Sequence, residues 1–188
     1  METPRALLPL ADGFEDIEAI TVIDVLRRGG VEVVTASIHG RPEIRSAHSV
    51  IVHADAPLEE VIDEDFDAII LPGGSEGAEH LGNCEPLIGR LHAQREDGGL
   101  VCAICAAPLI LERAGLLDED QQVTCYPSLQ EELDREWSPQ PVVEHDGIIT
   151  GQAPGASMLF ALVVLKALTD EENAARVAEG MVTDVFGE

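Results

Sequence analysis

Apolar positions change period three times within the first forty residues. Residues 5–10 form a short apolar run that ends at Ala11-Asp12-Gly13. Over residues 15–28 the apolar side chains fall at 17, 20, 22, 23, 25 and 26, close to the helical period. Arg27, Arg28, Gly29 and Gly30 then place basic groups in a last turn and glycines for its cap, and residues 31–37 return to a strand-like run. The opening therefore predicts a strand, a loop, a helix and a second strand.

The same reading continues along the chain. Residues 68–71 are a strand broken at Pro72-Gly73-Gly74, and residues 86–96 are a helix stopped by Asp97-Gly98-Gly99. Residues 100–104 are an apolar strand feeding a helix over 106–114 that Gly115 closes. Asp146-Gly147, inside the two short apolar runs of 142–150, marks a hairpin, and residues 156–168 and 171–181 are two closing helices. Alternating apolar strands and helices predict an α/β fold with a mostly parallel sheet covered on both faces and ligands at the carboxyl ends of its strands. No repeat, low-complexity segment or linker divides the chain, so residues 1–188 read as one domain with a sizeable core.

Composition narrows the function classes. Acidic residues outnumber basic ones 36 to 11, a formal charge of −25 that repels a phosphate backbone and leaves no basic stripe, so nucleic acid is not an expected partner. With 45% hydrophobic residues this is a heavily hydrated surface on an ordinary core rather than a disordered acidic chain. Such a surface fits a salt-rich cytoplasm as well as a mesophilic protein with an acidic face. No run approaches the length of a membrane span, and the first residues turn acidic before they form a signal-peptide core, which predicts a soluble cytoplasmic protein. Four irregularly spaced cysteines predict free thiols, not a disulfide framework. The six histidines, 39, 48, 53, 80, 92 and 145, show no metal-binding spacing and read as surface or loop residues, so no metal is expected.

Candidate chemistry collects where predicted strands end. Cys105 follows the apolar strand directly and precedes Ala106, Ala107 and Pro108, with Pro108 suited to a first helical turn. A thiol at a helix N-terminus faces unpaired N–H groups that favour thiolate, whereas a buried cysteine elsewhere is an inert small hydrophobe. Leu71-Pro72-Gly73-Gly74-Ser75 closes another strand, and its glycines allow backbone N–H groups, together with that of Ala106, to face a developing oxyanion. It matches neither a phosphate-binding loop nor a dinucleotide fingerprint. Glu15, Asp16 and Glu18 open the first helix, where one carboxylate can face the strand ends while another stays in water. Cys102, three residues before Cys105 and inside the strand, reads as a core residue on the opposite face. Cys84 reads as exposed, and Cys125 as a strand-end thiol able to approach Cys105.

Five motifs in one order carry a resemblance. Arg5-Ala6-Leu7, Gly13-x-Glu15-Asp16-x-Glu18, Leu71-Pro72-Gly73-Gly74, Ala103-Ile104-Cys105-Ala106-Ala107-Pro108 and Gly151-x-x-Pro154-Gly155 resemble the ThiJ/PfpI superfamily over residues 4–182, most of all its branch of the parkinsonism-associated deglycase and bacterial YajL. That resemblance implies a flavodoxin-like three-layer sandwich with a nucleophile elbow. By position it makes Cys105 the oxidisable nucleophile, Glu18 its protonated partner, and Gly73, Gly74 and Ala106 backbone donors, with Glu15, Ser75, Tyr126 and Pro154 around the pocket. Two departures stand out: Ala106 replaces the histidine that follows the nucleophile in the protease branch, and Tyr126 stands where human-type proteins carry a histidine. Protease activity and a Cys-His dyad are accordingly not expected, and Glu18 is left to move protons.

The activity this implies is cofactor-free conversion of a small reactive aldehyde or a glycated substrate, of glyoxalase or deglycase type, in a homodimer. A redox sensor or stress chaperone acting through oxidation of Cys105 is the alternative, and a weak hydrolase or amidotransferase a third.

Overall fold

The structure, a computed structural model, describes residues 3–183, so the two ends of the 1–188 domain reading lie outside the described residues. Strand β1 (Arg5–Leu10) leads through a loop into helix α1 (Asp16–Arg28) and strand β2 (Glu32–Ser37). Next come a small antiparallel hairpin, β3 (Glu43–Arg45) and β4 (Ile51–His53), the short β5 (Ala56–Pro57) and the single turn α2 (Leu58–Val61). Strand β6 (Ala68–Leu71), helices α3 (Ser75–Gly82) and α4 (Glu85–Glu96), strand β7 (Leu100–Ile104) and helix α5 (Pro108–Arg113) form the centre. A 3₁₀ turn (Pro127–Glu132), the hairpin β8 (Val142–His145) and β9 (Ile148–Gly151), and helices α6 (Ser157–Leu168) and α7 (Glu171–Gly180) complete the described chain.

The main sheet runs in the order β5-β2-β1-β6-β7-β9-β8 and is parallel except for β8 against β9. Side-chain alternation explains why its central strands read as unbroken apolar runs. Ala6, Leu8 and Leu10 of β1, Ala68 and Ile70 of β6, and Cys102 and Ile104 of β7 join the core beneath α1, α6 and α7. Leu7, Ile69, Leu71, Val101 and Ala103 join the core on the α3, α4 and α5 side. The fold is thus a flavodoxin-like α/β sandwich of three layers.

Helix α1 shows how one period selects both core and site. Its buried residues, Glu18, Ala19, Val22, Val25 and Leu26, include the spacing i, i+4, i+7, i+8, which starts the inward stripe on a carboxylate. Ile17 and Ile20, off that stripe, stay about half exposed. The Asp146-Gly147 turn has positive φ at both residues, 45° and 73°, as a two-residue hairpin requires.

Four features differ from expectation. The helix after Cys105 begins at Pro108, not Ala106, because residues 105–107 form a tight turn with Ala107 N–H donating to Ile104 O. The β3–β4 hairpin and helix α3 had no sequence expectation; the hairpin strands are three residues each and the helix eight. Cys125 lies outside any named strand, next to the isolated bridge between Val123 and Trp137.

Candidate active site

In a doubly wound sheet, strand order reverses beside the first strand, and the carboxyl ends diverge there to leave a crevice. Here β2 lies on one side of β1 and β6 on the other. The segments leaving β1, β6 and β7 carry Glu18, Gly73-Gly74 and Cys105, and the structure brings all of them together.

Cys105 has φ +64°, a left-handed conformation uncommon for a side-chain-bearing residue. Two hydrogen bonds hold it: its N–H donates to Gly151 O at 2.9 Å, and its carbonyl accepts from Tyr126 N–H at 2.9 Å. Gly151 tolerates no side chain, since a Cβ there would stand 2.8 Å from Ile104 Cγ1 and 3.0 Å from Phe160. Strain of roughly 1–2 kcal/mol is thereby fixed into a sharp elbow. The N–H groups of Gly74 and Ala106 are directed at the sulfur, which is nearly buried.

Glu18 is fully buried. Its Oε2 accepts from Gly73 N–H at 2.8 Å, while Oε1 finds no backbone or side-chain donor. The carboxyl group and the Cys105 side chain flank Gly73 together, and each shifts the other's titration. Burial raises the Glu18 pKa from 4.5 to about 7, against the lowering effects of Cys105 and Gly73, and the nearby charge of Glu15 adds to the rise. Burial and the Glu18 carboxylate likewise push the thiol up, while the Gly74 and Ala106 N–H groups pull it down. A thiol displaced downward by a helix N-terminus alone, as the motif suggested, is therefore incorrect: α5 is only six residues long and starts three positions later.

The two groups titrate as one unit: below about pH 7 both are protonated, and above it they share a single proton. Placing it on Oε1 leaves the charge on sulfur, which has two backbone donors. Placing it on sulfur leaves a buried carboxylate oxygen unpaired, the costlier arrangement. The donor count thus favours protonated Glu18 beside thiolate.

The glycine pair plays two separate parts. A Cβ on Gly73 would lie 2.6 Å from Glu18 Oε2 and 2.8 Å from Cys105 Cβ, so only glycine lets carboxyl and thiol meet. Its N–H is committed to Glu18 and is not a free oxyanion donor, contrary to expectation; Gly74 and Ala106 are the two donors at the sulfur. Gly74, at φ +87°, sits where a Cβ would strike Gly13 O at 2.3 Å.

Of the surrounding residues, Glu15 caps α1, and its N–H donates to Gly73 O at 3.0 Å, which ties the first loop to the glycine turn. Ser75 begins α3 and is exposed. Tyr126 reaches the elbow through its backbone, while its side chain is 43% exposed. Pro154 starts a 3₁₀ turn before α6, and its carbonyl accepts from the Ser157 hydroxyl.

Sequence reading missed the contribution of Gly151, although its glycine-rich motif was visible. It also missed a polar cluster at the mouth. His48 lies 2.8 Å from Asp16 and 3.9 Å from Glu15, the Ser46 hydroxyl donates to Asp16, and one ligand atom from each of Glu15, Asp16 and His48 falls within 4.8 Å of the others. No spacing announces it, because His48 comes from the β3–β4 turn thirty residues away. Cys102 is buried, yet it shares a core layer with Cys105 instead of facing away; alternation stops counting once the chain turns at φ +64°. Cys125 is fully buried with its thiol raised to about 11 by burial, and Cys84 is half-buried instead of exposed. Among the described residues, no helix is long and apolar enough to cross a membrane.

A three-layer sheet with a strained thiol-bearing elbow and a buried carboxyl at its switch point defines a class of α/β protein. The chain belongs to the DJ-1/PfpI family, whose match covers residues 4–167. It is 38% identical over 182 residues to protein DJ-1 homolog B of Arabidopsis thaliana, covering 96% of this chain and 42% of that one, so it spans less than half of that relative's length. It is 36% identical over 171 residues to the glutathione-independent glyoxalase DJR-1.2 of Caenorhabditis elegans, covering 89% of each. Its fold is similar to that of Toxoplasma gondii DJ-1 in an oxidized form, with a TM-score of 0.93, 33% identity, and coverage of 96% of this chain and 99% of that one.

Proposed function

We propose that this protein converts 2-oxoaldehydes to 2-hydroxy acids without metal, glutathione or other cofactor. The observation that carries this reading is the fully buried Glu18 carboxyl set beside Cys105, with the Gly74 and Ala106 N–H groups at the sulfur. The Cys105 thiolate adds to the aldehyde carbon, forming a C–S bond while the carbonyl electrons move to oxygen, where the backbone donors meet the charge. Glu18 gives its proton to that oxygen and, now a carboxylate, removes the hydrogen on the same carbon to leave an enediolate, whose hydroxyl proton passes from the first oxygen to the second. Return of the proton to the neighbouring carbon yields an α-hydroxy thioester. Water cleaves it and restores the thiolate; no external oxidant or reductant takes part. A carboxyl with a pKa near 7 is suited to both directions of transfer. A relative named as a glutathione-independent glyoxalase supports the same chemistry.

Incubation with methylglyoxal while lactate is followed tests this. The wild type should turn over, and Cys105→Ala should lose turnover with an unchanged circular dichroism spectrum; equal lactate production by both rejects the enzymatic reading. A glycated substrate draws on the same steps.

A second reading is favoured by the similar oxidized Toxoplasma structure: oxidation of Cys105 as a signal. Peroxide followed by peptide mass mapping should then place sulfinate on Cys105 ahead of Cys84, Cys102 and Cys125, with no aldehyde turnover in the reduced protein. The reading includes a cytoplasmic homodimer. Ile17 and Ile20 on α1 and Val50 and Ile51 by the β3–β4 turn are half exposed, and the His48–Asp16 contact holds the two segments side by side, which offers apolar side chains for a second copy to cover. Sedimentation of the wild type and Ile17→Glu checks it.

A further inference from the structure

A groove of about 580 Å³ opens beside the elbow and plays no part in the steps above. Ala106, which donates to the sulfur, and Ser75, which follows the other donor Gly74, mark its end nearest Cys105. Its floor is apolar and mostly buried: Ala78, Leu109, Ile110 and Leu129. Its rim carries Glu79, Arg113 and Glu132. The Arg113 guanidinium is 2.7 Å from Glu132, so this pair is internally neutralised and Glu79 sets the sign of the rim. Gly82, the last residue of α3, keeps the floor uncovered. A Cβ there would sit 3.6 Å from Ile110 Cγ1, an ordinary contact, and the backbone of Gly82 is not left-handed.

A methyl group fills little of such a volume, which is typical of sites for drug-sized ligands. We propose that the groove is a substrate subsite for the substituent carried by the carbonyl compound that Cys105 attacks, and that it selects an apolar stem ending in a cation. The inference rests on Cys105 being the reactive group, and it extends that reading from the reacting atoms to the substrate's other end. Apolar contact with Leu109 and Ile110 supplies the attraction for the stem. Glu79, on a chain of net charge −25, favours a cationic end and disfavours an anionic one.

Cys105 labelling reads the groove without requiring turnover. The full chain is treated with iodoacetamides that share one reactive carbon and differ in the amide substituent: methyl, benzyl, 4-aminomethylbenzyl and 4-carboxybenzyl. In each case the thiolate displaces iodide, the C–S bond forming as the C–I bond breaks and iodide leaving with the charge. Rates come from intact mass, the site from peptide mapping, and each reagent is normalised to its rate with a small free thiol.

The benzyl reagent should label Cys105 at least about tenfold faster than the methyl reagent, and the aminomethyl form about tenfold faster than the carboxy form. Gly82→Phe should bring the benzyl rate down to the methyl rate and leave the methyl rate unchanged. Glu79→Gln, at an exposed position, should cut the ratio of aminomethyl to carboxy labelling several-fold and likewise spare the methyl rate. Normalised rates that ignore the substituent, or variants that slow all four reagents equally, overturn the subsite. Methylglyoxal turnover run alongside separates the two ideas. Selective labelling without turnover removes the aldehyde reading and keeps the groove, turnover with unselective labelling removes the groove alone, and failure of every reagent to label Cys105 removes both.

Discussion

Replacing Glu18 by glutamine converts the buried titration into a difference in stability. Glutamine keeps the shape and an acceptor for Gly73 N–H but cannot ionise. In the wild type the carboxyl is displaced from 4.5 to about 7 by burial, so between those values the unfolded chain has already lost a proton that the native pair retains. The folded state's raised affinity for the proton contributes stability that is complete below pH 4.5 and is lost as pH rises through about 7. At about 1.4 kcal/mol per pH unit the full loss is about 3 kcal/mol, undiminished by solvent because Glu18 is completely buried. The raised His48 and the lowered His39 also titrate in this range, but both are present in each protein and cancel in the difference. Urea unfolding at pH 4.5, 5.5, 6.5 and 7.5, at one protein concentration and read from Trp137 fluorescence, measures it. Relative to Glu18→Gln, the wild type should weaken by about 3 kcal/mol across the series. A difference that stays flat within about 0.5 kcal/mol would show that the pair loses its first proton as an ordinary carboxyl does and would refute the burial-raised titration of Glu18.

Three further outcomes follow from the same geometry. Gly73→Ala, which drives a Cβ between carboxyl and thiol, should reduce aldehyde turnover by about a hundredfold or more, some 2.7 kcal/mol in the barrier, in a protein that still folds; a loss below tenfold means the pair tolerates separation. Cys105→Gly should be more stable than Cys105→Ala by about 1 kcal/mol in thermal unfolding, because glycine removes the cost of φ +64°, and the reverse order would mean that the elbow is unstrained. Tyr126→Phe should change turnover by less than about tenfold, since the backbone N–H and not the phenol holds Cys105, and a thousandfold loss would assign the hydroxyl a proton-transfer step.

Much of this protein is legible in one dimension. The apolar runs at 5–10, 68–71 and 100–104 specify buried parallel strands, because such strands are covered on both faces. The helical period of residues 16–28 even decides that Glu18 turns inward with Val22 and Val25 while Ile17 and Ile20 remain outside. Five spaced motifs sufficed to suggest the family. Only the tertiary structure decided what these groups do to one another. That Gly73 spends its N–H on Glu18, that Gly151 and Tyr126 clamp the elbow from segments twenty or more residues away, and that His48 closes on Asp16 are all consequences of strand order. The thiol makes the same point: read locally, Cys105 at a helix start should be acidic, but folding dries the site and sets a carboxyl against it. Hydrophobic period and chain direction are local properties that sequence carries. Desolvation and the position of a shared proton depend on every atom within a few ångströms, and those atoms come from three loops that only the assembled sheet brings together.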